Sequence, residues 1–276
     1  MKNFSLRLST GVVYVALITL GITVNQYTFL ALFSIIVFLC LREFYHLINI
    51  QKRAQINLWH NSFGGLLLLV STYLYASNTL GYSVLFLYLF YIVAIFVSAL
   101  YKKRQEPITH LAYVFFGQCY IALPLSLLNL LAFQNNVSSV SSYYCLFILS
   151  LFIFIWINDT GAYLVGILIG KHRLFPRISP KKSWEGFFGG LAFTVASSLI
   201  FAHYEPEIPY YHWMGISIMV VLFGTWGDLV ESLIKRTLEV KDSGRSLPGH
   251  GGFLDRFDSL LLAIYAVLFY VHFFII

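Results

Sequence analysis

Apolar residues in this chain do not recur at the amphipathic spacing of a soluble helix. They run in long blocks separated by short polar segments. Blocks of roughly 17 to 25 residues, the length that crosses a bilayer as a helix, fall near 9–25, 27–46, 58–76, 80–100, 110–133, 143–169, 186–203, 212–234 and 257–275. The pattern predicts an all-α integral membrane protein of about nine transmembrane helices. Pro124 inside the fifth block predicts a kink there. Residues 1–140 read as a lipid-embedded scaffold of about five spans. Residues 141–276 read as a second region whose loops, 170–185 and 235–256, hold most of the remaining polar chemistry.

The positions of the basic residues orient the predicted spans. With the N-terminus in the cytoplasm, segments 1–8, 47–57, 101–109, 170–185 and 235–256 lie inside. They contain every Lys and Arg except Arg42, which sits at the inner end of the second span and can snorkel to the surface. The opposite segments 135–142 and 203–212 contain no Lys or Arg, and the second holds Glu205 and Glu207. This sorting places the C-terminus outside. The first block resembles a secretory leader in having Lys2 and Arg7 ahead of it, but Thr23-Val24-Asn25-Gln26 offers no small-x-small cleavage site, so a retained span is expected.

Composition agrees with the block pattern and removes two function classes. At 59% hydrophobic and 11% charged residues, with a mean hydropathy of +0.77, the chain is too apolar for a soluble globule. Its positive loops follow from topology and anionic headgroups, so no nucleic acid partner is expected. Cys40, Cys119 and Cys145 fall inside spans without metal-like spacing, which predicts neither a disulfide framework nor a zinc site. Glu43 and His46, near the inner face among aromatics, read as membrane-belt residues.

Charge is densest between Asp228 and Asp258. On a helix continuing from the eighth block, Asp228, Glu231, Ser232 and Lys235 fall at i, i+3, i+4 and i+7 and form one polar stripe. Gly244, Pro248, Gly249, Gly251 and Gly252 then break any periodicity and leave a loop of bare backbone N–H groups, the chemistry of an anion cradle. Asp255 and Asp258 follow where the last block begins. Upstream, Asn158 and Asp159 lie roughly 15 Å before the end of the sixth span, at a depth where a carboxylate costs on the order of 2.5 to 3.5 kcal/mol. Ala162, Gly166 and Gly170 are small residues four apart and predict close helix packing.

The following loop carries Lys171, His172, Arg173, Arg177, Lys181 and Lys182, with Pro176 and Pro180 holding it extended. It would attract anionic lipid or contact phosphate directly. Ser183 is placed to cap the next helix. Recessed acids in spans cannot all face lipid, so Asp159, Asp228 and Glu231 should converge on a cleft open to the cytoplasm. All-oxygen donors suit Mg²⁺. Ion pairs with Lys235, Arg236 and Arg256 would also account for these acids. The combination of acids, glycine loop and clustered cations points to a polyphosphate with a divalent metal.

The run Ser232 to Arg236, Lys241-Asp242, Gly244, Leu247-Pro248, His250-Gly251-Gly252-Phe253 and Asp255-Arg256-Phe257-Asp258 resembles the signature of the phosphatidate cytidylyltransferases. Asn158 to Tyr163 and Ser179 to Gly186 are similar to two further landmarks of that family, so the resemblance covers about residues 155 to 260. It implies transfer of CMP from CTP to phosphatidic acid, giving CDP-diacylglycerol and pyrophosphate. It further implies metal ligation by Asp228 and Asp255 with Asp258 supporting, and catalytic roles for Ser232, Lys235 and Arg236. Substrate contacts are expected from Asn158, Asp159, Lys181, Lys182, Lys241, His250, Gly251, Gly252 and Arg256. The expected partners are CTP, phosphatidic acid and the bilayer, with a homodimer left open, and the expected place is the cytoplasmic membrane with the site facing the cytoplasm. A CTP-dependent lipid kinase, releasing CDP, and a transporter with an acidic core are the alternatives. No inverted repeat supports the transporter.

Overall fold

The computed structural model describes residues 2–52, 54–103, 105–134, 142–244 and 251–275. These residues are dominated by helices: α1 Lys2–Thr23, α2 Gln26–Lys52, α3 Leu58–Ala76, α4 Phe86–Tyr101, α5 Pro107–Gly117, α6 Leu123–Ala132, α7 Leu146–Ile169, α8 Trp184–Tyr204, α9 Tyr210–Thr237 and α10 Asp258–Phe274. Among the described residues, six helical stretches are long and apolar enough to cross a membrane: Gln26–Lys52, Tyr82–Tyr101, Pro107–Ala132, Leu146–Ile169, Trp184–Tyr204 and Tyr210–Thr237. The other three expected spans are helical as well. Two of them, Thr10–Thr23 and Asp258–Phe274, are shorter apolar helices. The third, α3, is diluted by His60, Asn61, Ser62, Ser71 and Thr72. The chain is a multi-pass, all-α membrane protein.

The chain divides into two compact units, Met1–Cys145 with Leu238–Arg256, and Leu146–Thr237 with Phe257–Ile276. In the first, α2 forms the spine. Phe29, Phe33, Val37, Cys40, Leu41, Phe44 and Ile48 recur at three- and four-residue steps and are all buried, the helical period of an inward face. Asn25 starts this helix, its side-chain oxygen accepting from the amides of Tyr27 at 2.8 Å and Thr28 at 2.9 Å.

Buried polar groups join neighbouring helices of the first unit. The Gln118 amide donates to Tyr45 Oη at 3.0 Å and to the Asn61 carbonyl at 2.8 Å, and Tyr45 donates to the Val114 carbonyl at 2.8 Å. Ahead of Pro124, where a kink is expected, a π-helical turn, Gln118–Ala122, separates α5 from α6. A proline removes one N–H from the ladder, and a wider turn redistributes the bonds ahead of it. On α4 only Tyr91 and Ile95 are buried. Leu87, Phe90, Val93 and Leu100 are exposed, a surface that suits lipid rather than water.

The second unit holds α7 to α10 and a short hairpin. Its core is aromatic: Phe147 and Phe201 lie 5.6 and 5.4 Å from Trp213, and Phe154 lies 5.1 Å from Phe201. Two seams bring backbones unusually close. Between α7 and α8, a Cβ on Gly186 would stand 2.7 Å from the Ala162 carbonyl, and one on Gly190 would stand 2.8 Å from the Asn158 carbonyl. Between α9 and α10, a Cβ on Gly227 would stand 2.5 Å from the Asp258 carbonyl. Of the small residues expected to mark close packing, Ala162 and Gly166 thus do so against Gly186 and Gly190 of the facing helix, while a Cβ on Gly170 would stand 2.7 Å from Ser183 Oγ. The basic loop after α7 is an antiparallel hairpin, β3 Arg173–Phe175 with β4 Ser179–Ser183. Another two-residue pair, β1 Phe133–Gln134 with β2 Ser142–Tyr143, lies in the first unit. Pro176 and Pro180 sit in the turn and at the hairpin's edge, where a missing N–H leaves no ladder bond unmade.

Candidate active site

The candidate site of the second unit is assembled by the two glycine seams and the hairpin. Because Gly227 lets α10 approach α9, Asp258, the first residue of α10, comes beside the polar stripe of α9. Side-chain oxygens of Asp228, Glu231 and Asp258 lie within 4.8 Å of one another. Asp228 accepts from Ser232 Oγ at 3.3 Å, and Glu231, only 1% exposed, accepts from Lys235 Nζ at 2.6 Å. From the hairpin, Lys182 Nζ reaches Asp228 Oδ2 at 2.5 Å. Each pair of like charges at this separation repels by on the order of 3 kcal/mol at an effective dielectric near ~20. Three carboxylates against the two ammonium groups of Lys182 and Lys235 leave a negative excess of hard oxygen donors. That donor set fits Mg²⁺ rather than a thiophilic metal.

Next to the carboxylates, a cavity of about 490 Å³ opens between α7, α8, α9 and the hairpin. Asn158, Asp159, Lys181, Lys182 and Asp228 line it, so five of the expected site residues share one chamber. Arg173 adds a further cation, while Tyr163, Ile167 and Phe187 make an apolar wall. Asn158 is 8% exposed, and among the described residues no donor reaches its Oδ1, which packs against Gly190. Local structure holds the hairpin in place. Ser183 caps α8 as expected, accepting from the Gly186 amide at 3.1 Å. Glu185 accepts from the His172 backbone amide at 3.2 Å and lies 2.6 Å from its ring nitrogen Nδ1.

The remaining expected residues lie elsewhere on the chain. Arg236 is exposed near the end of α9. Lys241, Gly251, Gly252, Asp255 and Arg256 belong to Leu238–Arg256, which packs with the first unit. There the Asp255 carboxylate accepts from the amides of Ser243 at 3.0 Å and Gly252 at 2.8 Å. Gly251 takes φ of +82°, the left-handed region that favours glycine. His250 lies outside the described residues.

The same segment shows a polar residue that sequence reading assigned to the membrane belt. Glu43, on α2 and 9% exposed, accepts from Ser243 Oγ, from the Phe253 amide at 3.0 Å and from the Leu254 amide at 3.2 Å. The signal available in the sequence was a carboxylate inside an apolar helix. Nothing local named its partners.

Comparison with known proteins agrees with this chemistry. A stretch of 119 residues, 43% of this chain, is 48% identical to a Staphylococcus aureus protein named phosphatidate cytidylyltransferase. Proteins of the same name from Staphylococcus epidermidis and Staphylococcus saprophyticus are 48% and 49% identical over 120 and 119 residues. The matched stretch spans about half the length of these curated relatives, 46% of each. The profile of the Cytidylyltransferase family, by contrast, matches residues 5–274, nearly the whole chain. With that match the chain belongs to the Cytidylyltransferase family.

Proposed function

We propose that this chain transfers CMP from CTP to the phosphate of phosphatidic acid, releasing pyrophosphate and leaving CDP-diacylglycerol in the membrane. The observation that carries the reading is the single chamber in which Arg173, Lys181 and Lys182 face Asn158, Asp159 and Asp228 beside an apolar wall. Cations and carboxylates together suit a triphosphate with its metal, and the apolar side suits a lipid. The names of the staphylococcal relatives favour the same reaction.

In this reading an oxygen of the lipid phosphate attacks the α-phosphorus of CTP, and the bond from the α-phosphorus to the bridging oxygen breaks in line with it. The electron pair leaves on pyrophosphate. Since the lipid phosphate is already ionised near neutral pH, no residue has to remove a proton from it. Lys181, Lys182 and Arg173 would hold the triphosphate and stabilise charge on the departing oxygens, the electrostatic contribution that dominates such transfers. Lys182, now on Asp228, is positioned to share its charge between that carboxylate and a phosphate. Mg²⁺, held by Asp228 together with the adjacent carboxylates of Glu231 and Asp258, would supply further charge neutralisation on the triphosphate. Ser232 would keep Asp228 oriented. The chamber would face the cytoplasm, where CTP is found.

The test uses purified protein in mixed micelles with radiolabelled CTP, phosphatidic acid and Mg²⁺. CDP-diacylglycerol and pyrophosphate are expected in equal amounts, with turnover lost in EDTA and restored by Mg²⁺. Release of CDP with a newly phosphorylated lipid would replace this reading with the kinase, and absence of any CTP-dependent product would overturn it.

A further inference from the structure

We infer that Glu43 is a positioning residue, set in α2 of the first unit, that fixes the shape of the loop segments carrying Lys241, Gly252, Asp255 and Arg256. The inference rests on the proposed cytidylyl transfer for its meaning and on geometry for its support. Among the described residues of this loop, Glu43 accepts from three donors: Ser243 Oγ, and the backbone amides of Phe253 and Leu254. Acceptor-only geometry of this kind matches a carboxylate, and charge-assisted bonds are the stronger class. The side chain is 9% exposed and Ser243 is 5% exposed, so water competes little for these bonds.

The clamp joins both described flanks of the loop. One anchor, Ser243, precedes its undescribed residues 245–250, and the others, Phe253 and Leu254, follow them. Asp255 repeats the arrangement one residue later, bonding to the amides of Ser243 and Gly252. Two carboxylates, one from α2 and one from the loop itself, therefore tie the same two flanks together at Ser243. Displacing Glu43 would shift the backbone on which Asp255 sits.

Glycines of the loop are explained by the same contact. A Cβ on Gly244 would stand 2.6 Å from Glu43 Oε2, and one on Gly252 would overlap Glu43 Oε1 and Ser243 Oγ. Sequence reading gave Gly252 to phosphate binding. The geometry gives it a second reason, because only glycine lets the loop close on the carboxylate.

Variants of the whole chain test this: Glu43→Gln, Glu43→Asp, Glu43→Ala and Gly252→Ala singly, and the last two combined. For Glu43→Gln, kcat should fall on the order of 10- to 100-fold, the effect of displacing a reacting group by about 1 Å. The Mg²⁺ concentration for half-maximal rate should rise, while KM for phosphatidic acid changes less than threefold. Glu43→Asp should recover part of kcat. Hydrogen exchange at the Phe253 and Leu254 amides should quicken by about tenfold or more in Glu43→Gln, with the rest of α2 unchanged. Gly252→Ala should be severe alone and cost clearly less beside Glu43→Ala, since one of the two side chains its methyl group would overlap is then gone while Ser243 Oγ remains.

Unaltered exchange at Phe253 and Leu254 in Glu43→Gln would overturn the inference, as would additive losses in the double variant. A uniform rise in exchange with unchanged kcat per folded molecule would reduce Glu43 to a general structural residue and also overturn it. The exchange arm needs no turnover. If the unmodified chain makes no CDP-diacylglycerol, the proposed reaction fails while the clamp is still judged on its own.

Discussion

At Glu231 a carboxylate is 1% exposed and held by a lysine one turn away at 2.6 Å. Glu231→Gln would leave the Lys235 ammonium facing a neutral amide, and breaking such a pair from one side should cost about 3 kcal/mol, readable by denaturant titration in detergent. Asp228, with a side chain 31% exposed, is expected to behave differently. Asp228→Asn should keep its stability within about 1 kcal/mol, as exposed pairs contribute little, and should lower kcat by at least ~100-fold. Near-normal turnover would remove Asp228 from the site. The pairings on α9 were legible in the sequence because they are local, at three- and four-residue spacing. Asp258 was harder to place. Its approach to Asp228 and Glu231 depends on Gly227 admitting α10, a contact that spacing alone does not encode. Glu43 was misjudged for the same reason, since its first partner lies 200 positions away.

Among the elements, the seam between α7 and α8 holds Asn158 in the cavity wall. Gly190→Ala would push a methyl group against the Asn158 carbonyl and side chain. The expected cost is about 1 to 3 kcal/mol of overpacking, with CTP turnover falling more steeply than stability because the displaced residue lines the chamber. Thermal melting and initial rates on one preparation separate the two effects. Removing the α8 cap by Ser183→Ala should cost about 1 kcal/mol. Half of the seam was readable: Ala162, Gly166 and Gly170 recur every four residues, whereas Gly186 and Gly190 acquire meaning only when the helices face each other. The hairpin was not readable at all. A strand pair of three and five residues has too few positions for an alternating pattern to stand out, and its two prolines suggest an open loop.

Over the whole molecule, block hydropathy made the helical membrane architecture plain, and basic-residue sorting gave an orientation that remains a prediction. A single cysteine at Lys181 in a background lacking Cys40, Cys119 and Cys145 should react with a membrane-impermeant maleimide in inverted vesicles and not in right-side-out ones. The opposite pattern would reverse the orientation. Block hydropathy gave no hint, however, that residues beyond α9 fold with the first five spans. After Thr237 the chain leaves one unit, contributes Leu238–Arg256 to the other, and returns at Phe257. No single break in the polypeptide yields two self-sufficient halves: a fragment beginning at Leu146 would carry Ser243, Phe253 and Leu254 with no Glu43 to receive them. Gene-level shuffling of this chain's front and back ends is thereby constrained, because a recombinant can inherit an intact loop only together with the second helix of the same parent or an equivalent one.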